Sequence, residues 1–120
     1  MEMDLEVDFE FPAAHRLPLY EGPCVRMHGH NYKLRVIIRG QPDPRTGILM
    51  DFEDIRKAVL QHVVGVLDHQ TLNDFIENPT AENVVRWAWE KLDGKLAGLH
   101  EVRLWENPSY CVAYRRSSGA

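Results

Sequence analysis

The sequence has only two cysteines, Cys24 and Cys111, in 120 residues, too few for the disulfide framework of a small secreted scaffold. It lacks any apolar run near the roughly 20 residues that a membrane-spanning helix needs. It also lacks a repeat, a low-complexity segment or a polar stretch long enough to link two domains. Positive charge is in deficit: 14 Lys and Arg against 18 Asp and Glu leave a formal charge of −4. That balance argues against general nucleic-acid binding while allowing a local basic pocket for a small anion. The start, Met1-Glu2-Met3-Asp4, is acidic where a secretory signal is basic. We therefore expect one cytoplasmic domain over 1–116 with a flexible tail over 117–120, and neither membrane nor nucleic acid as partner. What is present, 44% hydrophobic and 27% charged residues, suits a globular domain with a modest core.

From Met3 to Phe11 apolar residues alternate with acidic ones: Leu5, Val7, Phe9 and Phe11 against Asp4, Glu6, Asp8 and Glu10. This is the period of a half-buried strand. A second alternating run, Tyr32, Leu34, Val36 and Ile38, ends at Gly40 and a turn-rich stretch through Gly47. The period then becomes helical, with Phe52, Ile55, Val59, Val63 and Val66 recurring at three and four behind an N-cap at Asp51. A loop from Gln70 to Pro79 precedes a second helix, from about Thr80 as N-cap to Leu92, with Gly94 near its stop. Val102–Glu106 and Tyr110–Tyr114 around Asn107-Pro108 read as a hairpin. The order β β α α β β predicts an α+β fold, a four-stranded antiparallel sheet with two helices on one face. Its two edges invite pairing with another chain.

The chemistry gathers around Cys24-Val25-Arg26-Met27-His28-Gly29-His30-Asn31-Tyr32. If strand geometry begins at His28, the imidazoles of His28 and His30 share a face about 6.6 Å apart along the strand. The parity of strand one carries through Phe9, Phe11 and Ala13 to His15, which points the same way at the end that pairs with strand two. Three neutral imidazoles at about 2.0 to 2.1 Å form a known catalytic zinc set with one open position. His62 and His100 lack such partners. Cys24 lies four residues before His28, where a nearby cation would lower its pKa; it reads as a base or nucleophile, a fourth zinc ligand or a small packed group. Cys111, inside a strand, reads as a packing residue. Asp68-His69 reads as an assisted acid–base pair or as a polar helix end. Glu106 shares parity with Val102 and Leu104. It is either a carboxylate on an apolar face that needs a partner with paired donors, or the start of an exposed turn.

These pieces resemble the 6-pyruvoyl-tetrahydropterin synthase family along nearly the whole chain. The resemblance runs through Phe11-Pro12-Ala13-Ala14-His15-Arg16, Cys24 with His28-Gly29-His30-Asn31-Tyr32, Gly47 to Met50-Asp51-Phe52, Leu67-Asp68-His69 with Leu72-Asn73, Pro79-Thr80-Ala81-Glu82-Asn83 and Val102-Arg103-Leu104-Trp105-Glu106. It implies the tunnelling fold, in which such subunits join their sheets into a barrel, usually as a hexamer with sites between subunits. It implies Zn2+ on His15, His28 and His30, Cys24 as proton acceptor, Asp68 and His69 assisting, and Glu106 anchoring the pterin ring. Thr80 is expected at the substrate too. Arg16 and Arg26 could receive a triphosphate or be solvated. The spacing Cys-x-x-x-His-Gly-His is similar to the bacterial branch that makes 6-carboxytetrahydropterin for queuosine and other deazapurines. That implies a lyase acting on 7,8-dihydroneopterin triphosphate; the alternatives are a pyruvoyl-forming synthase and a non-catalytic zinc module. Asn107 departs from the threonine frequent after the glutamate.

Overall fold

The computed structural model describes residues 1–115; the tail expected over 117–120 lies outside the described residues. Strands β1 (Met3–His15) and β2 (His28–Gly40) pair antiparallel along their full lengths, from Met3↔Gly40 to His15↔His28. The first strand thus runs four residues beyond Phe11, and the ends of the two strands lie side by side. Strand β3 (Leu99–Asn107) pairs with β2, and β4 (Tyr110–Arg115) with β3, giving an antiparallel sheet in the order β1-β2-β3-β4. The expected α+β architecture is what forms.

Helix α1 (Phe52–Val59) starts where Asp51 accepts a hydrogen bond from the Glu53 N–H at 2.9 Å. It continues through a π-helical turn, Leu60–Val64, into the short α2 (Gly65–Leu67). Gly65 closes that turn, at a place where a Cβ would collide with the Leu60 carbonyl oxygen. Helix α3 (Ala81–Leu92) is capped by Thr80, whose hydroxyl oxygen accepts from the Asn83 N–H at 3.1 Å.

Alternation decides what is buried. Phe9, Phe11, Tyr32, Leu34, Val36, Ile38, Val102 and Leu104 meet Ile55, Val59, Val63, Leu67, Val84, Ala88 and Leu92 in one core. Each large side chain so buried contributes about 1.5–3 kcal/mol relative to exposure. The opposite face of the sheet is a charge ladder: Arg35 grips Asp8 at 2.7 and 3.0 Å, and Arg39 grips Asp4 at 2.8 and 3.0 Å. The register Cys111↔Trp105 places Cys111 on this outer face, where it is exposed. Cys111 is therefore not the packing residue its place in a strand suggested.

Candidate metal centre and active site

Register builds the centre. His15 faces His28 and Ala13 faces His30 across β1 and β2, so all three histidines share the helix-covered face at the strand ends. Their rings lie 4.5, 5.1 and 4.9 Å apart, centroid to centroid. One ligating atom from each falls within 4.8 Å of the others, the one such cluster among the described residues. His15 is fully buried, while His28 and His30 are half-buried.

Main-chain carbonyls fix which nitrogens can ligate. The Nδ1–H of His15 donates to the Pro79 carbonyl at 2.8 Å, and the Nδ1–H of His28 donates to the Arg26 carbonyl at 2.8 Å. Both lone pairs then sit on Nε2, and these two atoms face each other at 3.0 Å. Two acceptors at that distance repel unless a proton or a cation lies near both. The Nε2 of His30 is buried without a hydrogen-bond partner. Glu106 Oε2 lies 3.3 Å from it, close enough for charge to act but outside hydrogen-bonding geometry. Burial holds the His30 imidazole below the ordinary histidine range, and His15 and His28 push the same way against Glu106. The neutral form is the one that ligates, so the donor set fits a metal ion. Burial also pushes the Tyr32 hydroxyl well above its ordinary range; it stays protonated and backs His15 at 3.2 Å from Nδ1.

Cys24 sits in a single 3-10 turn, Pro23–Val25, half-buried and outside the histidine cluster. Its carbonyl accepts the Leu17 N–H at 2.9 Å, folding the connection between β1 and β2 back on itself. Asp68 ends α2, and His69 follows with a positive φ of 60°, a conformation uncommon outside glycine and frequent at functional sites. The imidazole Nδ1 of His69 meets Asp68 Oδ1 at 2.7 Å. The His69 N–H donates to the Pro12 carbonyl at 2.7 Å, tying the pair to β1. A cavity of about 480 Å³ has His30 and His69 in its wall. A second, of about 580 Å³, is bounded by His30, Lys33, Trp105, Glu106 and Asn107, so Glu106 faces a space large enough for a flat ring. Thr80 uses its hydroxyl oxygen as a helix cap. Arg16 and Arg26 are exposed on either side of the Cys24 turn. Sequence reasoning missed the Pro79 carbonyl, because a main-chain acceptor has no residue-type signature.

An antiparallel sheet with helices on one face, and three histidines at the end of its first two strands, defines a class of small α+β protein able to hold a metal ion. Residues 4–117 match the 6-pyruvoyl tetrahydropterin synthase family, and the chain belongs to it. A Synechocystis sp. 6-carboxy-5,6,7,8-tetrahydropterin synthase is 36% identical over 114 residues, covering 89% of this chain and 88% of the relative. A Pyrococcus furiosus dihydroneopterin monophosphate aldolase is 36% identical over 105 residues, covering 85% of this chain and 88% of the relative. The solved Caenorhabditis elegans 6-pyruvoyl tetrahydropterin synthase superposes with a TM-score of 0.87 at 30% identity, covering 98% and 97% of the two chains.

Proposed function

We propose that this protein is a zinc-dependent carbon–carbon lyase that converts 7,8-dihydroneopterin triphosphate to 6-carboxy-5,6,7,8-tetrahydropterin in deazapurine biosynthesis. The reaction consumes one water and releases acetaldehyde and triphosphate, so atoms balance with no external oxidant or reductant. The observation that carries this reading is the tautomer-locked pair of Nε2 lone pairs beside the orphaned His30 nitrogen, in a chain 36% identical to a protein of that name. His15, His28 and His30 would hold a Zn2+ ion, which would supply Lewis acidity toward the side-chain hydroxyls of the substrate. The thiolate of Cys24 takes a side-chain proton, and the His69 imidazole, its tautomer held by Asp68, handles the second transfer. Glu106 pairs with the amino group and ring N–H of the pterin. Thr80, Arg16 and Arg26 stand as further substrate contacts, the arginines toward the phosphates. The working form on this reading is a cytoplasmic homohexamer with sites between subunits.

A second reading, triphosphate elimination without carbon–carbon cleavage, has in its favour the likeness to the nematode 6-pyruvoyl tetrahydropterin synthase. A purely structural zinc site with Cys24 as fourth ligand is disfavoured, since Cys24 is not within the ligand cluster. Incubation with dihydroneopterin triphosphate and product identification separates these. The first reading predicts acetaldehyde and the 6-carboxy pterin; triphosphate and a pyruvoyl pterin without acetaldehyde would establish the second.

A further inference from the structure

Gly29 stands inside strand β2, between His28 and His30, where glycine is a poor choice. In a strand interior it has no side chain to pack and loses more conformational freedom on folding than any other residue. The fold itself does not require it. Its φ is not among the positive ones, so the backbone there suits any residue. Apart from the chain neighbours, a Cβ at Gly29 would have only the Ala13 carbonyl oxygen within 4 Å, at 3.6 Å, an ordinary contact. At Gly65 and Gly98, by contrast, a Cβ would collide with a main-chain carbonyl. The space that Gly29 leaves open is shared: Gly29, His30 and Asn31 bound both the cavity of about 480 Å³ and the one of about 580 Å³. The larger also takes in Lys33, on the parity of Gly29, and Trp105, which pairs with Lys33 across the strands. It reaches Glu106, whose Oε2 lies 3.3 Å from the His30 Nε2.

We infer that Gly29 determines ligand specificity by having no side chain: a flat fused-ring heterocycle held at Glu106 rests against the bare main chain of β2 at Gly29. Glycine within a strand is a recurrent mark of a ligand or another backbone approaching closely. A residue that weakens its own strand without a packing reason is the kind of local conflict expected at a functional site. The inference rests on the role proposed above for Glu106 and involves neither Cys24 nor His69. A methyl group at position 29 would stand at the boundary that the two cavities share, where it would meet the ligand and leave the core untouched.

The test compares wild type with Gly29→Ala and Gly29→Val in metal content, urea unfolding, sedimented mass and calorimetric affinity for an unreactive pterin. Gly29→Ala should leave metal content and mass unchanged. Its urea midpoint should equal or exceed that of wild type, because alanine lowers the entropy of the unfolded chain. Affinity should nonetheless fall about tenfold or more, the effect of one extra methyl in a fitted pocket. Gly29→Val, whose branched side chain suits a strand, should bind more weakly still. Wild-type affinity in Gly29→Ala would overturn the inference. So would a loss of metal that parallels the loss of affinity, which would tie the glycine to the geometry of the histidines, or a changed mass, which would assign the space to a second copy of the chain. If wild type itself binds no pterin, the proposed function fails and this inference with it; equal binding by wild type and Gly29→Ala defeats the inference alone.

Discussion

A histidine that gives its Nδ1–H to a main-chain carbonyl has one lone pair left, and its direction is set by the backbone. His15 and His28 are both in this state, through Pro79 and Arg26, and second-neighbour acceptors of this kind orient metal-ligating imidazoles and raise their basicity. Glu106 is the complementary case, a half-exposed carboxylate with side-chain exposure of 22%, facing a cavity beside Trp105 and Lys33. Glu106→Gln keeps the size of the side chain but puts a donor where an acceptor stood and removes the charge. Leaving ligand donors unpaired costs about 1–3 kcal/mol, so affinity for an unreactive pterin should drop about tenfold or more while metal content holds. Equal affinity by calorimetry would return Glu106 to a turn residue.

At the scale of elements, two thirteen-residue strands in full register bring residues 15 and 28 side by side, and the helix over 52–67 delivers Asp68 to the edge of β1. The segment that delivers it passes through the π-helical turn at Leu60–Val64, a device common near functional sites. Gly65→Ala would drive a Cβ against the Leu60 carbonyl. The helix must regularise or shift, and we expect a loss of about 1–3 kcal/mol in denaturant unfolding. Stability equal to wild type would mean that the turn is not needed. The strands and the shared face of the three histidines were legible in sequence because period-two alternation extends across them, and the caps at Asp51 and Thr80 because a side-chain oxygen precedes a helical period. The π-turn was not, since Phe52, Ile55, Val59, Val63 and Val66 fit an unbroken α-helix nearly as well. Nor were the Asn73–Arg16 hydrogen bonds and the Pro79 acceptor, long-range contacts that exist only once β1 and the 68–79 segment lie together. Cys111 was misjudged because Cys111 and Ala113 are apolar like Val112, so the run has no polar alternation to show which parity faces the helices.

For the whole molecule, the sheet separates a greasy face, which carries the three-histidine cluster able to hold a metal ion, from an ionic one. Glu101 anchors the ionic face, buried and held by Arg103 and by Arg115 at 2.7 Å. Desolvation pushes its carboxyl up, but the bonds to Arg103 and Arg115 outweigh that and hold it below the usual carboxylate range. A carboxyl depressed on folding stabilises fully above the ordinary value, about 4.3, and loses that contribution as pH falls through the folded value. Glu101→Gln should therefore cost about 1–2 kcal/mol at neutral pH, after discounting for the half-exposed arginines. Its deficit against wild type should shrink below about pH 4; a deficit independent of pH would refute the assignment. The central claim concerns the other face, that three histidines alone hold the ion on which activity depends. Metal analysis of the purified wild type, His30→Ala and Cys24→Ala proteins tests it most directly. The account predicts about one equivalent of zinc in wild type and in Cys24→Ala, and less than about a tenth of that in His30→Ala. A full equivalent in His30→Ala, or loss of the metal with Cys24, would contradict it.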